Sequence, residues 1–377
     1  MTFNVEAYGY LFNYPISSFL KMVDENGKMK DSSVRTLDFS NFEDARLDMN
    51  KMEIFKTQFS DVNVACLQET VIKTPKHNRD ELGEINDIVG TTDNFNPKYD
   101  GEIRLPTKPL KQVSACHSHM FTWPRNKLFY GEGSRIANAI YVSDGVKTTS
   151  PGNIDITKNS GVAEKNSIPR CSAMTEVTID GNVVRVATVH LIGGRFEDEY
   201  YFLGDNEKRA KLIEEKKQQL QSVIEFKPDI ICGDFNTKLN PAGSNANAKQ
   251  KYVMEELNKY AQNFYKETSP PENLDEIVNA WLLMDQYNAL LNSAGYESVY
   301  TTYPEQETSA YGGVVDFIYY KKDRLSLNGS ATIIDDVLGD YVPTIENNSV
   351  LRENLPLLKY VNGLSDHAPV KATFTIK

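Results

Sequence analysis

The stretch Asp229-Ile230-Ile231-Cys232-Gly233-Asp234-Phe235-Asn236 decides how this chain is read. A short apolar run of strand character ends in a glycine, and an acid and an amide follow it. Just upstream, residues 206–226 place Leu212, Ile213, Leu220, Val223 and Ile224 on one stripe, which predicts a long helix. Pro228 stops that helix, because proline lacks the N–H a helix interior needs. Helix, stop, buried strand and polar signature together argue α/β or α+β layering.

The same unit recurs outward in both directions. Residues 44–59 read as an amphipathic helix with Leu47, Met52, Ile54, Phe55 and Phe59 near one face. Residues 62–67 (VNVACL) then read as a strand that ends at Glu69, and 183–191 (VVRVATVHL) as a buried strand ending at His190. Thr2-Phe3-Asn4-Val5 opens the chain as a very short strand. Asp316 lies inside the run Val315-Asp316-Phe317-Ile318, and Gly363-Leu364-Ser365-Asp366-His367-Ala368-Pro369-Val370 closes the series. Strand ends are where a rigid scaffold displays ligating side chains. The sequence has no internal repeat and no low-complexity tract. Residues 9–43 and 238–275 read as insertions in one domain spanning 1–377, because the signatures on either side of them must meet in space.

Of the 377 residues, 40% are hydrophobic and 25% charged, the balance of a globular protein with a sizeable core. A formal charge of −11 argues against a broad grip on nucleic acid, yet a metal and a local basic rim could still hold one phosphate. Cys66, Cys116, Cys171 and Cys232 show no paired metal spacing. Cys66 and Cys232 sit in apolar runs and read as small core residues. The set fits a reducing compartment, with two bridges as the open alternative. No signal-peptide pattern opens the sequence, and no stretch reaches the roughly eighteen apolar residues of a membrane span. The expectation is cytoplasmic, and a nuclear or virion location would look the same.

Glu69 suits a hard cation such as Mg²⁺, which favours oxygen ligands; a solvated strand-end acid is the alternative. Asn4 could hold a phosphate oxygen or a metal-bound water, or be a plain surface amide. Gly233 permits a tight exit from its strand. Asp234 and Asn236, two apart, point to one side if the backbone stays extended, where the acid could orient or deprotonate water and the amide could fix phosphate. A turn is the competing reading, since Gly, Asp and Asn are turn formers. A buried carboxylate needs a partner, and an imidazole both serves as one and is oriented by it, so Asp316 and His367 are expected as a dyad. Asp366 would then point the other way, toward metal or water. His190 is a second strand-end imidazole.

In this order and at these separations the signatures resemble the endonuclease/exonuclease/phosphatase superfamily, the DNase I-like fold, from Asn4 to His367. Ala137-Asn138-Ala139-Ile140-Tyr141-Val142 looks like that family's Gly-Asn-Ala-Ile strand, with alanine replacing glycine. The resemblance implies a four-layer α/β sandwich: two mixed β-sheets packed face to face, with helices outside. It implies Mg²⁺- or Mn²⁺-dependent phosphoester hydrolysis in one in-line step. In that scheme Glu69 binds the metal, with Asn4 and Asp366 completing its shell. Asp234 aligns or activates water, and Asn236 and His190 contact the phosphate. His367, oriented by Asp316, is general base or acid. Asn138 and Arg135 are the candidate substrate contacts. Lys73, Lys76, Arg79, Arg125, Lys127 and Arg170 are further basic candidates, and Trp123, Tyr130 and Tyr311 could stack on a base. His117 and His119 alternate and would share a strand face. The first expectation is a nuclease acting on DNA or RNA. The second is a sphingomyelinase-like or small-molecule or nucleotide phosphodiesterase or phosphatase, and the third a catalytically silent binding protein. The segment around Asp316 lacks the Pro-x-Trp-x-Asp-Arg pattern of inositol polyphosphate 5-phosphatases.

Overall fold

The computed structural model of the chain describes residues 1–4, 57, 60–73, 110–120, 134–143, 145–156, 170–193, 197–202, 204–260, 272–310, 312–338, 340–341, 360–361 and 365–377. The helix expected over 44–59, the stretch 9–43, and Lys76, Arg79, Trp123, Arg125, Lys127, Tyr130 and Tyr311 lie outside the described residues.

Two mixed sheets form the body. The first is built from β1 (Thr2–Asn4), β2 (Val64–Lys73), β3 (Leu110–Met120), β4 (Ser134–Ser143), β13 (Thr332–Ile333) and β16 (Val370–Lys371), in the order β13-β16-β1-β2-β4-β3. The second runs β10 (Tyr296–Ser298), β11 (Asp316–Lys321), β9 (Ile230–Asp234), β8 (Asn182–His190), β7 (Cys171–Ile179), β5 (Lys147–Thr149), with β6 (Ile154–Asp155) also paired to β7. Two small ribbons pair β12 (Leu325–Leu327) with β17 (Phe374–Ile376) and β14 (Asp340–Tyr341) with β15 (Tyr360–Val361). Each large sheet has one parallel pair, β1 with β2 and β8 with β9, among antiparallel neighbours.

Strand parity explains the layers, because successive side chains point to opposite faces. Cys66, Val184, Val186, Cys232 and Ile318 face inward and form the core between the sheets. Val189, Ile231, Phe317 and Tyr319 face the other way, onto helices Asn206–Ile224 and Asp285–Ser293. Leu220 and Val223 of the first helix are fully buried there, each contributing about 1.5–3 kcal/mol. That helix is the crossover that parallel β8 and β9 require. Asp205 caps its start, accepting a hydrogen bond from the Lys208 backbone N–H at 3.1 Å. Helix Ala246–Tyr260, within the stretch expected as an insertion, and helix Leu274–Ala280, which begins at its end, pack through Tyr252, Val253 and Val278 onto Trp281 and Leu283 in a small core of their own.

Three local expectations are corrected. The strand with Cys66 does not end at Glu69: β2 runs on to Lys73 across a bulge between Leu67 and Thr70, where Glu69 has φ 53°. One extra residue against β4 re-aims the side chain there. Asn236 is not extended beyond Asp234; it has φ 48°, and its backbone N–H turns back to Asp234 Oδ1 at 2.7 Å. Cys116 and Cys171 form a disulfide that ties β3 of one sheet to β7 of the other, with Cα atoms 6.1 Å apart. Disulfides persist in oxidising surroundings, so the reducing-compartment reading does not describe this pair. Cys66 and Cys232 are free and buried, as expected of core residues. Among the described residues no helix is long and apolar enough to cross a membrane.

Candidate active site

The C-terminal ends of β1, β8 and β9, the bulge within β2 and the first residue of β11 converge at one end of the inter-sheet seam. Register places the acids and imidazoles side by side: His190 is opposite Asp234, Asp234 is opposite Asp316, and Asn4 is opposite Gln68, next to Glu69. The last two members, Asp366 and His367, arrive on the terminal segment, which is clamped rather than woven into a regular strand there. Ser309 bridges His367, the Ala310 N–H donates to Asp366 O at 2.8 Å, and the Ala368 N–H donates to Thr308 O at 2.8 Å. Ser365 Oγ donates to Asn4 O at 2.8 Å and accepts from the His367 N–H at 3.2 Å. Because that backbone is held by isolated bridges and not by a pleated ladder, Asp366 does not point away from its neighbour as expected. Its Oδ1 lies 3.8 Å from His367 Nε2.

Seven side chains meet. Asn4 Nδ2 donates to Asp234 Oδ2 at 3.0 Å and to Glu69 Oε1 at 3.4 Å. His190 Nε2 lies 3.5 Å from Asp234 Oδ2 and 3.7 Å from Glu69 Oε1. His367 Nε2 lies 3.7 Å from the same Asp234 oxygen, while its Nδ1 is 2.8 Å from Asp316 Oδ2. The expected dyad is therefore formed. Thr308 Oγ1 steadies its acid by accepting from the Val315 and Asp316 N–H groups at 2.8 and 3.1 Å.

The two imidazoles differ in charge. Burial, followed by the charge of Arg170, holds His190 down to about 3, so its ring is neutral at neutral pH. Burial opposes charge on His367 as well, but Asp316, Asp234 and Asp366 outweigh it and hold the ring well above the usual histidine range, as an imidazolium. The 3.5 Å approach of Asn4 Nδ2 to His367 Nε2 is then a contact between two donors and no hydrogen bond. Burial alone would raise Asp234; His367, His190 and the hydrogen bonds from the Asn236 N–H and Asn4 bring it below the ordinary carboxylate range. Burial and the nearby Asp366 push Glu69 up to about 7 even though 25% of its side chain is exposed. Burial raises Asp316 to about 6 against the pull of His367.

The remaining sequence candidates fall around this cluster. The Asn236 side chain is anchored, its Nδ2 donating to Leu191 O at 3.0 Å. Asn138 is fully buried on β4 and donates to Cys171 O at 2.7 Å; its Oδ1 has no partner among the described residues. Arg170, next to that cysteine, is close enough for its charge to act on Glu69, Asp234 and His190. Arg135 and Lys73 lie on β4 and β2, with side chains outside the described residues, as are those of His117 and His119 on β3, between which the β3–β4 register shifts. Asp234, Asp316 and His367 offer ligand atoms within 4.8 Å of one another, a buried group able to hold a metal ion.

Sequence reasoning missed a support beneath Asn236. Lys216, fully buried, donates to Glu197 Oε1 at 3.0 Å, to Thr237 Oγ1 at 2.8 Å and to the Asn236 carbonyl. Tyr287 Oη adds a 2.6 Å hydrogen bond to the same Glu197 oxygen. The available signal was a lysine on the apolar stripe between Leu212 and Leu220.

Solved structures of endonuclease/exonuclease/phosphatase proteins match this chain. The human Nocturnin catalytic domain is 16% identical, with 88% of this chain and 88% of that chain covered and a TM-score of 0.42. A family protein from Leptotrichia buccalis is 12% identical, with 87% and 93% covered and a TM-score of 0.44. A mannosyl-6-phosphatase from Bacteroides thetaiotaomicron is 10% identical, with 87% and 91% covered and a TM-score of 0.43. No model of a protein family and no curated protein matches the sequence.

Proposed function

We propose that this chain is a divalent-metal-assisted phosphoester hydrolase that cleaves phosphodiesters, with DNA or RNA the first substrate class to test. One observation carries the reading: four carboxylates, two imidazoles and an amide from five strands and the terminal segment meet within hydrogen-bond or ion-pair range at one end of the seam.

The donor set fits a divalent cation. Among the described residues, Glu69, Asp234, Asp316 and Asp366 face the two cations Arg170 and His367, which leaves negative charge in excess. Glu69 is raised by burial first and by the neighbouring Asp366 and Asp234 charges after it. Oxygen donors of this kind suit Mg²⁺ or Mn²⁺ over softer metals. In this reading Glu69, Asp366 and Asn4 hold the ion, with Asp234 beside them. Asp316 is turned to His367 instead. A bound cation supplies Lewis-acid neutralisation of charge on the phosphate oxygens.

The protein groups do the rest. Asp234 stays ionised and accepts a hydrogen bond from the attacking water, aligning it for in-line attack. The two carboxylates beside His190 Nε2 favour a proton on that nitrogen, so the neutral ring donates to a phosphate oxygen. His367, already charged, is suited to the acid role rather than the base role, donating toward charge that develops on the phosphate or leaving oxygen. Arg170 and Asn236 flank the phosphate.

The test is turnover of bis-p-nitrophenyl phosphate with Mg²⁺ and with Mn²⁺. EDTA should abolish it and added metal restore it; a folded protein with no turnover, or with full turnover in EDTA, would sink the proposal. A labelled oligonucleotide and sphingomyelin then separate the substrate classes. The formal charge of −11 favours the smaller ester as the second reading, and cleavage of sphingomyelin with the oligonucleotide left intact would adopt it.

A further inference from the structure

The seam between the sheets is unfilled at the end away from the acids. A mainly apolar, partly open cavity of about 170 Å³ lies there, walled by Val64 and Cys66 of β2, Val186 of β8, Ile230 and Cys232 of β9 and Ile318 of β11. Each strand carries a cluster member or its neighbour further along at the same parity. Gln68 follows Cys66, His190 follows Val186, Asp234 follows Cys232, and Asp316 precedes Ile318. A polar layer separates the two ends: Thr2 Oγ1 donates to Gln68 Oε1 at 3.2 Å, and Gln68 Nε2 donates to Thr188 Oγ1 at 2.7 Å. The cavity is therefore no part of the acid cluster.

Its wall also limits what it can take. The side-chain charges at its edge, Asp61 and Lys371, neutralise each other, with Lys371 Nζ 3.0 and 3.2 Å from the two carboxylate oxygens. The amino group of Met1 donates to Val64 O at 2.7 Å. Cys66 and Cys232 are free, buried cysteines in its wall. Water in such a space would need two to four polar partners; Asn63 and Thr373 line part of it, while the Val64, Val184, Val186, Ile230 and Ile318 side chains that make up most of the wall offer none. Apolar cavities of about 150 Å³ in other proteins stay dry and take up benzene or xenon.

We propose that this cavity is a binding site for a small uncharged apolar molecule of about single-ring size, separate from the phosphoester site and independent of the function proposed above. The occupant lies between the sheets against four strands and is held by dispersion and by removal of its surface from water.

The test titrates the 377-residue chain with benzene and with xenon and follows methyl resonances and thermal stability. Saturable shifts of the Val64, Val186, Ile230 and Ile318 methyls are expected, with a rise in Tm, because a ligand that binds only the folded state stabilises it. Benzoate has the same ring with a charge and should give no such shifts. Val184→Phe, at another cavity-lining position, should abolish them by filling the space. Absence of saturable binding by both probes overturns the proposal, as does benzoate binding as tightly as benzene, or unchanged benzene binding by a folded V184F protein. Should V184F fail to fold, competition in the unsubstituted protein decides: benzene displacing xenon supports one shared site, and independent binding overturns it.

Discussion

An imidazole ringed by acids behaves differently from one beside an arginine, and the two histidines of the cluster divide on that point. Burial disfavours the charged form of both. At His367 three carboxylates outweigh burial, and at His190 the charge of Arg170 adds to it. The pair therefore offers one cationic and one neutral donor at the same pH. Replacing His367 with alanine, or Asp234 with asparagine, should lower kcat at least about a hundredfold, the scale of a positioned acid–base group. Asp316→Asn keeps the shape but removes the charge that holds the His367 proton, and should show a loss of similar size in the same assay. A folded His367→Ala protein with near-native turnover would contradict the role given to that ring. The identity of these residues was legible in the sequence, because acids and histidines stand out in apolar runs. The direction of Asp366 was not, because it depends on bridges from Ser309 and Leu338 that no local pattern announces.

Among the elements, β9 is tightly constrained at Gly233. A Cβ on Gly233 would stand 1.8 Å from the Val189 carbonyl oxygen, and φ is 148° at that position. Gly233→Ala must push β8 and β9 apart at the pairing that sets His190 opposite Asp234. It should cost about 3 kcal/mol or more, the upper range for overpacking, measured by denaturant titration. The buried Lys216 makes a second prediction. Lys216→Met strands the Glu197 charge and should cost about 3–5 kcal/mol. Adding Glu197→Gln should recover much of that loss, and a double variant no more stable than the single one would show that the charge is not the cause. Helix 206–226 was legible from its apolar stripe, and strand 229–232 from a short apolar run set off by Pro228 and Gly233. The β2 bulge at Glu69 was not: it is a mismatch with β4, visible only once the two strands are paired.

At the scale of the whole molecule, the sheets are held by their apolar seam and by one covalent tie. The Cys116–Cys171 bridge joins residues 55 apart in sequence and one sheet to the other. Cys116→Ser should lower stability by about 2–4 kcal/mol, because the unfolded chain regains the freedom of an open loop; equal stability of the serine variant and the oxidised protein would exclude that contribution. Mg²⁺ should raise Tm if it binds the folded acid cluster, and Glu69→Ala should remove the increase. The sequence by itself determined the layered α/β class, β8, β9, β11 and the long crossover helix of the second sheet, and which acids and imidazoles were candidates to meet in one site. All of these follow from local apolar period and residue chemistry. Only the tertiary structure decided that the signatures share one end of a seam, that one imidazole is charged and the other neutral, that two cysteines are bonded and two are not, and that a cavity lies behind the site. Each depends on distances between segments far apart in the chain, and those distances are set by how two sheets pack rather than by any stretch of residues within them.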